Sequence, residues 1–289
     1  MKNIVRWFVV FVCTLGFIDV QAQDFTIPAN NCPKTAKMLT SWNLKDFGSS
    51  KSDEVIDFIA KVLRKSNIVL AQEITTKEGG AQAVARLQDA LNRKGKKWDS
   101  IISDLTEPNS PGVERYAMFY DSSIVTNRKK AHLVADLQEV IDREPFTTQF
   151  VIDGNEVDVF TIHLVPTAKK PIEEVKALVQ SHEINLATNA IIAGDFNLGS
   201  KKTNKHFESI GFTSQINQKT SIKKKVSKNG EYLLYQYDNI YTKGQMVVCA
   251  SGVVDFVAAA YSPVLEATLR DAYKVSDHLA VYVMFYFPK

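Results

Sequence analysis

Hairpin signals interrupt an otherwise alternating series of short apolar strands and amphipathic helices, and this mixed order limits the fold more than any other feature. A simple doubly wound parallel sheet needs a crossover after every strand, whereas a hairpin forces antiparallel neighbours. The clearest hairpin joins strand signals at Phe146–Ile152 and Val157–His163 through Asp153-Gly154, a pair that accepts the positive φ values of a tight turn. Upstream, Met38–Asn43 reads as a strand and Ser52–Lys65 as an amphipathic helix, with Val55, Ile56, Phe58, Ile59, Val62 and Leu63 on one face. Asn67–Gln72 is a second buried strand, and Gly80–Arg93 a helix with Ala81, Val84, Leu87 and Leu91 at helical spacing. Strand signals follow at Ser100–Ser103 and Tyr116–Tyr120, helical spacing covers Pro171–Ala187, and Ala190–Gly194 is an apolar strand running into an acidic residue. The tail alternates strands at Tyr235–Tyr241, Met246–Ala250 and Leu279–Phe287 with loops. The order predicts an α+β chain, an α/β sandwich of mixed sheets packed on each other and covered by helices.

Nothing along the chain reads as a repeat, a low-complexity tract or a Pro/Gly linker, so residues 23–289 are expected to form one domain. With 45% hydrophobic residues in 289, the chain has enough apolar side chains for one large core. Residues 1–22 read as a secretory signal peptide: Lys2 and Arg6, an apolar run from Trp7 to Ile18, and the small-residue end Val20-Gln21-Ala22. That run is shorter than the roughly 20 residues of a membrane span, so secretion to a periplasm or beyond is expected, without stable membrane association. An oxidising compartment would let Cys32 and Cys249 pair if the fold brings their Cα atoms within roughly 7 Å. Taken alone, Cys249 among Val247, Val248 and Ala250 reads as a small apolar packer rather than a nucleophile.

Polar residues recur at the C-terminal ends of the apolar runs: Asn43, Glu73, His163, Asp195, Asn197, Asp277 and His278. Each alone has an ordinary reading as a turn or cap residue. Together they place acid–base and oxygen-donor groups where a packed scaffold presents them to solvent. His132, His182 and His206 sit in polar surroundings and read as ordinary residues.

In these positions the sequence resembles the endonuclease/exonuclease/phosphatase superfamily, and within it the deoxyribonuclease I-like branch. The matching segments run in order: Ser41-Trp42-Asn43-Leu44, Ala71-Gln72-Glu73-Ile74, Glu114-Arg115-Tyr116, Arg143-Glu144-Pro145, Thr161-Ile162-His163, Gly194-Asp195-Phe196-Asn197, Tyr237-Asp238-Asn239-Ile240 and Ser276-Asp277-His278. The resemblance implies a four-layer α/β/β/α fold and a metal-dependent phosphodiesterase acting on nucleic acid, DNA before RNA, with no obligate protein partner. The alternative is a phosphoesterase acting on phospholipid or small-molecule phosphates.

Chemistry gives these residues expected tasks. A phosphorus shielded by anionic oxygens calls for a hard cation, so Glu73, with Asn43 and Asp277, is expected to hold Mg2+, with Mn2+ or Ca2+ also suited. Arg143 is expected to grip a phosphate oxygen, and Asp195 and Asn197 to position water and phosphate. Histidine serves proton transfer near neutrality, and a neighbouring carboxylate fixes its tautomer. The resemblance implies Glu114 behind His163, the expected acid, and Asp238 behind His278, the expected base, with the order of the two left open.

Net charge is only +3, so the distribution of lysines matters more than their sum. Arg93-Lys94-Gly95-Lys96-Lys97 ends a helix, where cations are favoured. Lys201 and Lys202 with Lys205, and Lys223, Lys224 and Lys225 with Lys228, flank the loop after the Asp195/Asn197 strand and lie before Asp238, and are expected near the catalytic face to meet backbone phosphates. Where the deoxyribonuclease branch carries its minor-groove Arg and Tyr, this chain has Thr75 and, approximately, Gly112, and no Cys follows Asp195-Phe196-Asn197. The resemblance therefore leaves strand preference open.

Overall fold

The structure, a computed structural model, describes residues 25, 27–28, 31–76, 79–106 and 113–288. The leader expected over 1–22 and the Gly112 position lie outside them. The first part of the chain runs β1 (Lys37–Phe47), α1 (Asp53–Leu63), β2 (Ile68–Ile74), α2 (Gly80–Asn92), β3 (Trp98–Ile102) and β4 (Arg115–Asp121). Next come β5 (Val125–Asn127), β6 (His132–Leu133), β7 (Phe146–Ile152), β8 (Asn155–His163), α3 (Pro171–Leu178), α4 (His182–Leu186) and β9 (Ala190–Asp195). The last part is α5 (Ser200–Glu208), β10 (Thr213–Ser214), β11 (Asp238–Lys243), β12 (Val247–Val254), α6 (Phe256–Ala260), α7 (Glu266–Val275) and β13 (Ala280–Tyr286).

Two mixed sheets result. One is ordered β12-β13-β1-β2-β4-β3, the other β10-β11-β9-β8-β7-β5, with β6 beside β7. Alternation along each strand explains the layering. In β9, Ile191 and Ala193 face the core between the sheets, where they meet Leu39, Leu70, Val159 and Val283. Ala190 and Ile192 face the other way, toward Val175 and Leu178 of α3 and Phe207 of α5. On the far side α1, α2, α6 and α7 cover the first sheet with Ile59, Leu87, Phe256 and Leu269 around Trp42. The result is the four-layer α/β/β/α sandwich expected from the sequence.

The Asp153-Gly154 hairpin forms as expected, with φ of 50° and 83° and Ile152 opposite Asn155. Two expectations need correction. The helix over Pro171–Ala187 is two helices, because Ser181 leaves helical geometry and caps the second through Ile184 N. The strand expected over Tyr235–Tyr241 starts only at Asp238, and Tyr235 and Tyr237 stack on each other ahead of it at 4.9 Å. A helix not expected from the sequence, α5, follows the loop after Asn197 and carries Lys201, Lys202 and Lys205.

Cys32 and Cys249 form a disulfide with their Cα atoms 5.3 Å apart. Cys249 has no partner in the β12–β13 register, which passes from Val248↔Phe285 to Ala250↔Met284. A bulged residue of this kind can turn its side chain out of the ladder, here toward Cys32.

Candidate active site

Register alone sets the first row of the site. His163 is opposite Asp195 across the parallel β8–β9 pair, and Asp195 is opposite Asp238 across the antiparallel β9–β11 pair. Three functional residues from distant parts of the sequence thus end neighbouring strands side by side. The strands approach closely here: a Cβ on Gly194 would overlap the Ile162 carbonyl oxygen, so this position requires glycine. His278 arrives from the other sheet on the turn before β13. Trp42 Nε1 donates to its carbonyl at 2.8 Å, and Ser276 Oγ accepts from its N–H at 2.9 Å while donating to the Asn43 carbonyl at 2.6 Å.

Asp195 lies between the two imidazoles, its Oδ2 3.6 Å from Nε2 of His163 and 3.6 Å from Nε2 of His278. Behind each ring stands a second carboxylate: Glu114 lies 2.9 Å from His163 Nδ1, and Asp238 lies 2.7 Å from His278 Nδ1. The order is Glu114, His163, Asp195, His278, Asp238. Burial works against charge on both rings, but Glu114 outweighs it at His163, and Asp238 with Asp195 does so at His278, so both histidines titrate above their ordinary value. Burial likewise opposes the Asp195 carboxylate, yet the two imidazoliums hold it below the ordinary range, and Asn197 N–H donates to its Oδ1 at 2.8 Å. At Asp238 burial wins and the carboxyl is pushed up, even with Thr220 and His278 against it.

Glu114, His163, Asp195 and His278 of the row form one wall of an open pocket of about 490 Å3, whose other walls include Glu73, Thr75, Arg143 and Asn197. Glu73 stands at a bulge where the β2–β4 register shifts between Ala71 and Ile74, and its φ of 60° aims the side chain into the pocket. Its two oxygens accept from Asn43 Nδ2 at 2.9 Å and from Asp46 N–H at 3.0 Å. Asn43 also donates to Asp195 at 3.2 Å, and so ties the Glu73 side of the site to the imidazole row.

Asn43 is fully buried and Asp277 half-buried, and Glu73 is the one of the three expected metal residues that borders the pocket. Asp46 borders it too, a carboxylate that sequence reasoning missed because it sits within the β1 bulge, at φ 46°, rather than ending a regular strand. Lys51 links this corner to the His278 turn. Its ammonium is buried, donates to the Lys274 and Val275 carbonyls at 3.0 and 2.9 Å, and feels the attraction of Asp46, Glu73 and Asp277.

Burial, then Lys45, pull the Lys51 pKa from its ordinary 10.5 to about 8. Between those values the unfolded chain binds more protons than the folded one, so this group makes stability rise with pH across that window. The gain of wild type over Lys51→Gln between about pH 7 and about pH 10 is expected to reach roughly 3 kcal/mol, read from urea unfolding at both pH values. Parallel pH dependence in the two proteins would contradict this.

The Glu73 and Asp46 carboxylates at the pocket are hard oxygen donors that fit a divalent cation such as Mg2+, while Asn43 turns its Nδ2 toward Glu73 and its Oδ1 to Lys45 N–H, and so holds Glu73 in place rather than offering an oxygen. Asp195, Asp238 and His278 also bring one ligand atom each within 4.8 Å of one another. That cluster suits a cation less, since the His278 imidazole stands between its two carboxylates and is already hydrogen bonded to Asp238 through Nδ1.

Most of the Arg143 guanidinium is engaged within the protein. Nε donates to the His163 carbonyl at 2.8 Å and Nη2 to the Leu164 carbonyl at 2.6 Å, leaving Nη1 3.6 Å from Glu114. Its fork therefore holds the end of β8 in place, and one edge faces the pocket. Asn197, at φ 49°, donates its Nδ2 to the Leu164 carbonyl at 2.9 Å. Tyr116 is a further supporting residue, accepting from His163 N–H at 3.2 Å; it lies in the Glu114-Arg115-Tyr116 segment, but nothing in the sequence assigns it that contact. Lys223 and Lys224 follow Ser221, which bridges His278, and Lys223 pairs with Glu231 at 3.4 Å. None of the expected lysines, nor His132, His182 or His206, borders the catalytic pocket.

A family model described as the Endonuclease/Exonuclease/phosphatase family matches residues 40–278, from the strand before Asn43 to His278 itself. The chain belongs to this family. It is therefore a phosphoesterase of the hydrolase class, from a family whose enzymes are generally divalent-metal dependent. It is 25% identical over 246 residues to human deoxyribonuclease-1-like 1, covering 80% of this chain and 78% of that protein. Among solved structures, a mannosyl-6-phosphatase from Bacteroides thetaiotaomicron superposes with a TM-score of 0.62 at 19% identity, over 87% of this chain and 100% of the other. The D. rerio TDP2 structure, complexed with a single strand DNA product, has a TM-score of 0.58 at 16% identity, over 87% and 99%. At those identities the two structures share the fold with this chain. Among the described residues no helix is long and apolar enough to cross a membrane.

Proposed function

We propose that this protein is a secreted, divalent-metal-dependent phosphodiesterase that cuts nucleic acid internally, DNA in preference to RNA. The observation that carries the reading is the buried Asp195 carboxylate between two imidazoles, each backed by its own carboxylate, on the wall of an open polar pocket. Two positioned histidines suit a reaction in which a water must lose a proton and an alkoxide must gain one. The similarity to deoxyribonuclease-1-like 1 supports nucleic acid as substrate, and the disulfide supports an oxidising destination.

In this reading Glu73 holds the cation, with Asn43 and Asp277 supporting it. When bound, that ion would neutralise phosphate charge and favour an attacking hydroxide. In its neutral form His278 takes the proton of the attacking water, and His163 in its charged form returns one to the leaving oxygen. Asp195 keeps both rings oriented, and Arg143 offsets negative charge at the pocket wall through its Nη1 edge. The wall formed by Ile74, Thr75 and Thr76 is neutral, which favours a substrate held by its backbone over one read in the minor groove.

Plasmid nicking with and without EDTA, run beside phosphatidylinositol phosphate and sphingomyelin, tests the reading. Nicking should stop with chelator and return with added Mg2+. Cleavage of either lipid without cleavage of plasmid would overturn it in favour of a lipid phosphoesterase.

A further inference from the structure

Beyond the Asn197 edge of the catalytic pocket lies a second hollow, of about 590 Å3, between α3 and α5. Its floor includes Ile172 and Leu198, and its rim carries Lys170, Lys176, Lys201, Lys202 and Lys205. Lys176 pairs with Glu173 at 3.0 Å; the other four ammonium groups meet no carboxylate among the described residues. Gathering like charges around one concavity raises the energy of the folded chain.

Two local features deepen that cost. Lys201 and Lys202 occupy the first turn of α5, which has no acidic residue, although the N-terminal end of a helix favours negative charge. Lys170 holds φ 60°, a left-handed conformation uncommon outside glycine, directly before Pro171. The lysines on the first turn of α5 are unfavourable on an empty surface and favourable once an anion occupies the hollow, and the Lys170 backbone is held in a conformation that turns its side chain to the same rim. Thr167 connects this hollow to the catalytic pocket: it borders the hollow, and its Oγ1 donates to the Asn197 carbonyl at 2.8 Å.

We propose that the α3–α5 hollow is a phosphate subsite for the substrate strand, taking a non-reacting backbone phosphate while the scissile one lies at His163 and His278. The apolar floor suits the sugar between phosphates. This inference rests on the nuclease reading above and extends it to a strand path running past Asn197.

The test uses the full chain with Lys201→Ala and Lys205→Ala combined, both at exposed positions. Turnover is measured on plasmid DNA and on bis(4-nitrophenyl) phosphate, a diester without flanking phosphates, at several salt concentrations. The KM for DNA is expected to rise roughly tenfold with kcat unchanged, and the slope of log KM against log salt to fall by about 1 to 2. The small diester should be turned over as by wild type. A control pair, Lys34→Ala ahead of β1 with Lys129→Ala beside Asp158, removes the same charge away from both pockets and should leave both substrates unaffected. An unmoved slope for Lys201/Lys205, or an equal loss in the control pair, overturns the subsite while plasmid cleavage keeps the nuclease reading intact. Turnover of the small diester with no cleavage of DNA by wild type overturns both.

Discussion

Alanine at His163 or at His278 is expected to lower kcat on plasmid DNA by about 10²- to 10⁴-fold, the usual contribution of one positioned acid or base. That is about 3 to 5.5 kcal/mol of transition-state stabilisation. The size follows from the burial of the row, since a ring held by Glu114 or Asp238 inside the protein is not readily replaced by water. The two losses should differ by substrate. An aryloxide such as 4-nitrophenolate departs without needing a proton, so the variant lacking the acid should recover much of its rate on bis(4-nitrophenyl) phosphate. The variant lacking the base should not. With the roles assigned above, His163→Ala is the one spared. Near wild-type nicking by either variant would remove the proton-transfer assignment, and equal impairment of both on the aryl diester would remove the division of labour.

His163 and Asp195 were legible because each ends an apolar run, a position that needs no tertiary information to recognise; Glu114, Asp238 and His278 stand at or before the start of their strands, and Glu114 and Asp238 were legible only through the motifs that carry the family resemblance. Their connections were not. Asp195 was expected to position water, yet its carboxylate lies between two imidazoles, a relation created by pairing β8 with β9 and β9 with β11. Arg143 was expected to hold phosphate, and only the folded chain brings the His163 and Leu164 carbonyls within reach of its fork.

The elements missed have a common cause. α5 buries only Thr203 and Phe207, so a stretch dominated by lysine and other polar residues hides its helical period. α7 buries Leu269, Ala272 and Val275 among charged residues, a stripe too thin to stand out. Tyr235 and Tyr237 looked like strand residues by type but pack on each other instead, and the ladder begins where Asp238 meets Asp195. Propensity identified the buried strands and failed where few side chains reach the core.

The second large effect concerns stability rather than turnover. The Cys32–Cys249 bridge spans a sequence separation of 217 residues, so reducing it releases an unfolded chain of much greater freedom. The chain-entropy relation puts this at roughly 5 kcal/mol, the upper end of what such bridges contribute. Cys32→Ser combined with Cys249→Ser, or dithiothreitol acting on the wild type, is expected to lower the unfolding free energy by about 2 to 5 kcal/mol in urea titrations. Activity of the protein that remains folded should be unchanged. Cys249 sits opposite the Met284–Phe285 end of β13, whereas His278 precedes the other end at Ala280. Reductant should add nothing to the double-serine variant. Identical urea midpoints for oxidised and reduced wild type would show that the bridge does not stabilise the fold, and would remove one support for an oxidising destination. A fall in kcat matching the fall in stability would instead mean that the bridged end of β13 and its catalytic end are mechanically coupled, contrary to their separation along the strand.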